Sequence, residues 1–376
     1  MPISVDNRLS RSRSLIAAVL TILILLPAGY LFYRVWQASD ASRDSTRLER
    51  QGLEYLAALT PLVSALAEAQ SSALQNVSAA PATLSASVAR VNAVDQRLGA
   101  ALGTRDRWSG LRDRIDQLAT VTGNPEPVFQ KYVEVTNLAL ALSNAVRNNS
   151  ALIRDPDNDL SNLQQAVGAD LPTTVVQVSR MGDLSLLVAK AQPDERNILG
   201  PQFAAAVQGV STSVNGLTDS LQAAVDDTSS PTLSGNLVST LDAFRRGVES
   251  LTRGANPGGG QPNAATMATA QSQLQSSTGS LAGMLLREMD GLLSDRLDRL
   301  AGERRAALLA AGAVVLLVVA AVVVGLTGRR RYRMPPPNND ATRNLADLRP
   351  PAYANLIDPP YGGTDPTQRE RSGALR

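Results

Sequence analysis

The apolar segment at residues 306–328 constrains the fold more than any other feature of this chain. It consists of Ala, Val, Leu, Gly and one Thr, with no charged residue. At about 1.5 Å rise per residue, a helix of this length crosses the roughly 30 Å hydrocarbon core of a bilayer. Arginines flank the segment on both sides, at Arg304, Arg305, Arg329, Arg330, Arg331 and Arg333. The segment is therefore predicted to be a membrane span.

A second apolar segment occupies residues 15–33. Three arginines precede it, Arg8, Arg11 and Arg13. The segment is either the core of a cleaved signal peptide, usually about 7–15 apolar residues ending at a small-residue cleavage site, or a retained anchor. It is longer than a signal core and closes with aromatic side chains suited to the membrane–water interface, Tyr30, Tyr33 and Trp36. We predict a retained anchor.

The arginine-rich flanks of both segments predict the topology. Under the positive-inside rule both termini are cytoplasmic, and the chain between the segments is extracytoplasmic. Lys131 and Lys190 are the only lysines, a bias toward Arg that suggests a GC-rich bacterial genome. We predict a multi-pass protein of the bacterial inner (plasma) membrane. Its predicted parts are a cytoplasmic N-terminus (1–14), transmembrane helix 1 (15–36), an extracytoplasmic domain or ectodomain (37–303), transmembrane helix 2 (304–328) and a disordered, proline-rich cytoplasmic tail (329–376).

The composition excludes several classes of function. The chain has no His and no Cys, which removes Cys/His zinc sites, thiol catalysis, His acid–base chemistry and disulfides. No metal and no cofactor are expected. A net charge of +2 and an aromatic content of 3% give little attraction to nucleic acid and few rings to stack on bases. An enzyme is not expected, since Ser or Thr chemistry would need Lys131 or Lys190 as base.

The ectodomain is predicted to be all-α. Apolar residues recur at steps of three and four, the pattern of helices packed on other helices, over 48–66, 203–225, 233–251 and 281–300. Breakers are predicted at Pro81, 123–127, Pro156, Pro193, Pro201, Pro231 and 254–263. These patterns predict about six or seven helices. The first and the last of them are continuous with the predicted membrane spans. The predicted ectodomain is longer than a single four-helix bundle requires. Its length would suit two stacked bundles that share long helices.

Two groups of charged residues in the ectodomain have the residue types of a binding site. Asp155, Asp157 and Asp159 have the spacing of a calcium loop, but the required Gly and Glu are Leu160 and Ala166, so a helix-capping turn is predicted instead. The second group could hold a carboxylate or an oxyanion from inside the bundle, and it consists of Arg147, Arg154 and Arg180. Solvated arginines on exposed faces are the favoured alternative.

The tail contains a candidate docking motif. Pro350, Pro351 and Tyr353 match the Pro-Pro-x-Tyr ligand of WW domains, which bind extended proline-rich segments. A bacterial source disfavours a WW partner. A spacer, or a kinase target at Thr342, Thr364 or Thr367, is the favoured alternative.

Three segments resemble a known family in sequence and in order. They are Glu49-Arg50-Gln51-Gly52-Leu53-Glu54-Tyr55-Leu56, Ala101-Leu102-Gly103-Thr104-Arg105-Asp106-Arg107-Trp108, and Asn149-Ser150-Ala151-Leu152-Ile153-Arg154-Asp155-Pro156-Asp157-Asn158-Asp159. Together they resemble the extracytoplasmic sensor domain of bacterial methyl-accepting chemotaxis receptors and related membrane sensors. The resemblance covers roughly residues 30–330. It implies a ligand-sensing helical bundle, often dimeric, that transmits a small helix displacement through the membrane.

This chain departs from that family in two places. Leu160-Ser161-Asn162-Leu163 stands where the family often has a Tyr-Tyr pair, and the family's cytoplasmic output modules are absent. The first hypothesis is therefore a two-span sensor that signals through a separate cytoplasmic or membrane protein, with a small-molecule ligand outside and a homodimeric state. The second is a structural or scaffold protein of the cell envelope that has no ligand.

Overall fold

The computed structural model describes residues 6–75, 81–153, 158–228, 231–255 and 262–327, and within these ranges the fold is all-α, as predicted. They form nine α-helices and one π-helical segment, and no strand. The α-helices are α1 Asp6–Leu74, α2 Ala82–Leu98, α3 Arg105–Leu118, α4 Pro125–Asn149, α5 Asn158–Gln165, α6 Leu171–Lys190, α7 Pro193–Asp227, α8 Pro231–Ala255 and α9 Ala264–Thr327. The π-helical segment, Ala166–Asp170, joins α5 to α6.

The chain divides into two compact units, Met1–Val319 and Ala320–Arg376. In the second unit the structure describes only the last turns of α9. The packing described below belongs to the first unit.

Helix α1 is the central element of the core. Its apolar stripe at steps of three and four is buried as the sequence predicts, and Tyr55, Leu62 and Leu66 are fully buried. The stripe packs against α2, α4 and α6. Pro61 lies inside the helix and removes one backbone donor, yet α1 continues to Leu74 because the residues on both sides of it are buried.

The structure corrects two of the predicted helix boundaries. Pro201 does not break a helix, since it lies inside α7 between the buried residues Leu199 and Ala206. A break that was not predicted separates α2 from α3. It contains Gly103 at φ 59, a left-handed conformation that favours glycine. The described chain therefore has more helices than the six or seven predicted.

Helices α6 to α9 form two consecutive antiparallel hairpins. Thr174 of α6 donates to the carbonyl of Ser213 on α7 at 3.3 Å, and Asp170 accepts from Ser220 at 2.6 Å. In the second hairpin, Gly247 of α8 packs against Leu274 of α9. Helix α9 then runs back along α1, which brings the first and last helices of the chain side by side.

Gly52 allows α1 to approach the end of α4, and this contact gives a first prediction. A Cβ at Gly52 would lie 2.1 Å from Ser150 Oγ and 2.3 Å from Ser150 Cβ. We expect Gly52→Ala to lower the free energy of unfolding by about 1–3 kcal/mol, because the added methyl overpacks this interface. The matched control is Gly110→Ala on the exposed face of α3, where a Cβ meets open space. Helix propensity should make the control slightly more stable. Equal melting temperatures for the two variants would contradict this account.

Candidate functional site

Arg147, the first of the predicted ligand arginines, lies buried in the bundle on α4. Its Nη2 donates to Gln165 Oε1 at 2.6 Å, and its Nη1 to Asn144 Oδ1 at 3.4 Å. Its side chain packs on Gly168, where a Cβ would lie 2.3 Å from Arg147 Cδ. Burial lowers the pKa of Arg147, and the nearby Asp170 opposes that shift. The surrounding side chains already hold this guanidinium.

Arg180 and Arg154 do not join Arg147 in one described site. Arg180 Nη2 donates to Asn137 Oδ1 at 2.6 Å, and burial lowers the pKa of Arg180. Asn137 and Arg147 are ten residues apart on α4, so about 15 Å of helix separates the two guanidinium environments. Arg154 lies outside the described residues. A ligand role for any of the three stays a prediction.

Two other predicted motifs also fall on positions that the structure does not describe. The tail motif of Pro350, Pro351 and Tyr353 lies wholly outside the described residues, as do Asp155 and Asp157 of the turn before α5. Among the described residues no group of three or more Asp or Glu is arranged to hold a metal ion.

The most extensive polar contacts between distant parts of the chain join α1 to α9. Arg50 Nε donates to Asp290 Oδ1 at 2.8 Å, with both side chains about half exposed. One residue earlier, Glu49 is almost fully buried, and its Oε2 lies 3.6 Å from Nη1 of Arg296. Residue numbers rise along α1 as they fall along α9, so the two helices run antiparallel. These ion pairs tie together the first and last helices of the bundle.

A further ion pair between α1 and α9 includes a contact with an aromatic ring. Arg304 Nη1 lies 3.4 Å from Asp40 Oδ1, and its guanidinium carbon sits 3.9 Å from the centre of the Trp36 ring. The Trp36 ring in turn lies 5.8 Å from Phe32. A cation over an aromatic face is attracted by the negative face of the ring. Charged and aromatic groups thus meet where both helices turn apolar.

Beyond Trp36 and Arg304, apolar side chains on both helices are exposed rather than buried. Those on α1 are Leu23, Leu26, Tyr30, Leu31, Tyr33 and Val35, and those on α9 are Leu308, Leu309, Val314, Val315, Leu316, Leu317, Val319, Val322 and Val323. Within the described part, α9 is the one helix long and apolar enough to cross a membrane, with a mean hydropathy of 2.9 over its most apolar window. None of that window is buried against protein. An exposed apolar surface of this size indicates contact with lipid or with another chain.

A buried carboxyl on α6 forms a second polar connection with α1. Asp183 is fully buried, and its Oδ1 accepts from Ser71 Oγ at 2.6 Å. Its Oδ2 accepts from Gln70 Nε2 at 2.7 Å and from Ser179 Oγ at 3.3 Å. Burial raises the pKa of Asp183 to about 7, and the three hydrogen bonds oppose that shift. The carboxyl therefore titrates close to neutral pH.

Helix α9 joins this cluster through an amide. Gln271 Nε2 donates to Ser71 Oγ at 3.3 Å. Gln271 also lies against the backbone of α6, because a Cβ at Gly182 would be 2.1 Å from Gln271 Oε1. A side chain at position 182 would require that amide to shift. We call Gln70, Ser71, Ser179, Asp183 and Gln271 the Asp183 cluster.

The described surface of the first unit contains clefts of ligand size. One of about 670 Å3 lies beside the Arg50–Asp290 pair, and a second of about 600 Å3 lies between α1, α2 and α9 near Pro61. A third, of about 420 Å3, lies where α6 ends and α7 begins. It combines apolar walls with Lys190, Glu126 and Glu195. The other two clefts also have charges of both signs beside apolar surface, Arg50 with Asp290 in the first and Arg90 with Glu68 in the second.

The Asp183 cluster was not predicted, although the sequence contains a signal for it. Asp183 is one acidic residue in an apolar stretch, directly after Gly182 and four residues after Ser179. Residues four apart share one face of a helix, so a serine and a carboxyl there can bond each other on the buried side. The partners on α1 and α9 could not be read from the sequence.

Comparison with known proteins adds no relative, since no protein-family model, curated protein or solved structure matches this chain. The function is therefore argued from the chain's own residues.

Proposed function

We propose that this chain is a two-span bacterial membrane protein whose helical ectodomain acts as a sensor. The observation that carries the proposal is the course of α1 and α9. Each runs without a break from buried core positions, such as Leu62 and Leu285, into an exposed apolar segment. A displacement of either helix inside the bundle would reach its apolar end directly.

The apolar start of α1 would be the first span, and the end of α9 the second. The aromatic side chains Tyr30, Tyr33 and Trp36 then lie at the membrane–water interface, beside Arg304 of α9. Both termini would be cytoplasmic, and the bundle between them extracytoplasmic. The two stacked bundles inferred from chain length belong to this same proposal.

A signal would pass to a separate protein. The spans or the tail would contact a cytoplasmic or membrane partner, and the chain would work as a homodimer. A small molecule outside would act by its different affinities for two helix arrangements. The cleft at Lys190 suits a small zwitterion, because Lys190 can pair with a carboxylate and Glu126 or Glu195 with an amine.

A scaffold without a ligand is the second candidate, and one observation favours it. Gln165 and Asn137 already hold Arg147 and Arg180, so neither guanidinium needs a ligand. The scaffold predicts envelope partners and no response to small molecules.

The topology is tested with single cysteines in this cysteine-free chain. Ser10→Cys and Ser372→Cys report the two termini, and Asp116→Cys reports an exposed position of α3. We expect a membrane-impermeant maleimide to label position 116 in intact spheroplasts, and positions 10 and 372 only after the membrane is opened. Labelling of either terminus in intact spheroplasts would overturn the two-span topology.

Sensing is tested on the full chain in lipid nanodiscs. Thermal unfolding is measured with amino acids, organic acids and inorganic anions, for the wild type and for Lys190→Ala. A ligand that raises the wild-type melting temperature but not that of Lys190→Ala supports sensing at this cleft. A ligand that raises both places sensing elsewhere on the chain. Flat curves for all compounds favour the scaffold.

A further inference from the structure

At the Asp183 cluster, α6 is hydrogen-bonded to α1 and packed on the side chain of an α9 residue. Asp183 is completely buried, and its hydrogen bonds reach Gln70 and Ser71 on α1. Ser71 in turn accepts from Gln271 on α9. These two partner helices are the ones that continue into the exposed apolar segments. Whatever changes the charge of Asp183 acts on both at once.

No described cation neutralises this carboxyl. On α6 the charged residue nearest in sequence is Arg180, which donates to Asn137 of α4. On α4, which also packs against α6, Lys131 pairs with Glu134 and Arg147 donates to Gln165. On α1 the nearest is Glu68, which accepts from Thr83 of α2. Helix α9 has no charged residue from Ala264 to Leu286, and α7 has none between Arg196 and Asp219. An ionised Asp183 would therefore be a buried charge held by neutral donors alone, and burial of such a charge is costly.

The cluster can accommodate the carboxyl with or without its proton. When ionised, Asp183 accepts from Gln70, Ser71 and Ser179, which satisfies both oxygens. When neutral, its O–H can donate to Ser71 Oγ. The Ser71 hydroxyl then turns to donate to Gln271 Oε1 after rotation of that amide. Proton uptake thus reverses the direction of the hydrogen bonds that lead from α6 through α1 to α9.

We propose that the Asp183 cluster is a proton-binding site whose occupancy sets how tightly α6 packs against α1 and α9. With the proton bound, the interface is neutral and packs closely. With the proton released, the uncompensated charge weakens the packing and frees α6 to move relative to the two long helices. The ligand of this site is the proton itself, and the proposal does not depend on the two-span topology or on a small-molecule ligand.

The direction of the pH effect follows from the raised pKa. Burial moves the pKa of Asp183 from its ordinary 3.8 to about 7. Between these values the folded chain holds a proton that the unfolded chain has lost, so its stability falls as pH rises through this window. Below about pH 4 both states are protonated, and above about pH 7 both are ionised, so the dependence on this group ends there.

Stability and infrared spectra of the full chain in nanodiscs test the site between about pH 5 and pH 8.5. We expect the melting temperature of the wild type to fall as pH rises across this range. A protonated carboxyl C=O band should disappear with a midpoint near pH 7. The Asp183→Asn variant should show no such band, and its melting temperature should depend much less on pH. The matched control is Asp95→Asn. Asp95 is a buried carboxyl whose two hydroxyl partners, Tyr55 and Thr104, belong to neither α6 nor α9. This control should keep both the band and the pH dependence. A band or a pH dependence unchanged in Asp183→Asn would overturn the proposal.

Movement of α6 is measured with two spin labels, at Ala189→Cys on α6 and Ser280→Cys on α9, both exposed positions in a chain without native cysteine. We expect the distance distribution to shift between the acid and alkaline ends of the range, and to stop shifting when Asp183→Asn is added. A shift that persists with Asp183→Asn, or a wild type without one, contradicts a proton-controlled interface.

A second variant keeps the test decisive if Asp183→Asn does not fold. Ser71→Ala removes one donor from the carboxylate at a partly buried position. Ser71 bonds both forms of the carboxyl, but its bond to the charged carboxylate is the stronger one, so its loss should move the midpoint of the infrared band to higher pH by about 0.5–1 unit. An unmoved midpoint would show that the titrating group is not Asp183.

Discussion

Asp95→Ala is expected to lower the free energy of unfolding by about 3 kcal/mol, since it removes the acceptor that two buried hydroxyl donors share. Tyr55 is fully buried, and its hydroxyl donates to Asp95 Oδ1 at 2.8 Å. Thr104, also fully buried, donates to the same oxygen at 2.7 Å. Burial raises the pKa of Tyr55, so the phenol keeps its proton and needs an acceptor. The alanine variant removes the acceptor of both hydroxyls and leaves a small cavity between α1 and α2.

Urea or thermal unfolding of the full chain in nanodiscs measures this effect. Asp95→Asn keeps one acceptor oxygen and should lose less stability than Asp95→Ala. Asp116→Ala, at an exposed position on α3, should stay within about 0.5 kcal/mol of the wild type. The Tyr55→Phe variant lacks one of the two hydroxyls that donate to Asp95. Asp95→Ala should therefore lower the free energy of unfolding less in Tyr55→Phe than in the wild type. Additive effects of the two substitutions would mean that the hydroxyl and the carboxyl do not depend on each other.

Helix positions were predictable because they rest on local patterns. The stripe through Tyr55, Leu62 and Leu66 is buried as its period of three and four requires. Breaks at Pro81, Pro193 and Pro231 also fall between helices or at their first residues. Proline and glycine act on their own turn of backbone, so the sequence reports them without knowledge of the fold.

Where the local rules failed, tertiary packing decided. Pro201 carries the same backbone signal as Pro193, but α7 buries residues on both sides of it and continues. The break between α2 and α3 holds Thr104, whose side chain bonds Asp95 rather than capping α3. In both cases a contact between helices outweighs the helix-breaking or helix-capping preference of one residue. Such contacts cannot be read from a single sequence.

The polar connections between helices depend on long-range pairing and could not be predicted. Arg50 and Asp290 are 240 residues apart, and Gln70 and Asp183 are 113 apart. The predicted ligand arginines, by contrast, lie within one stretch of the chain, from Arg147 to Arg180. The structure separates Arg147 from Arg180 because Arg147 lies beside the π-helical segment, whereas Arg180 bonds the middle of α4. Chemistry that links α1, α6 and α9 is visible only once the helices are placed.

Glu49→Ala should destabilise the chain by about 3 kcal/mol, far more than loss of the neighbouring ion pair. Glu49 is almost fully buried, and the side chain of its partner Arg296 is only 15% exposed. Removal of the carboxylate takes away the negative charge that Glu49 places beside this mostly buried guanidinium. Asp290→Ala removes the partner of Arg50 in a pair that is about half exposed, and it should lose no more than about 1 kcal/mol.

A double-mutant cycle separates the two ion pairs. The coupling energy of Glu49 with Arg296, measured by urea unfolding with Arg296→Met as the second substitution, should clearly exceed that of Arg50 with Asp290. Raised salt should weaken the exposed coupling and leave the buried one nearly unchanged, since screening acts mainly on charges in water. Equal couplings at the two sites would contradict the claim that burial strengthens the Glu49–Arg296 pair. A large buried coupling would make α1 and α9 move as one unit at this level, so that a displacement produced at the Asp183 cluster would reach both apolar segments together.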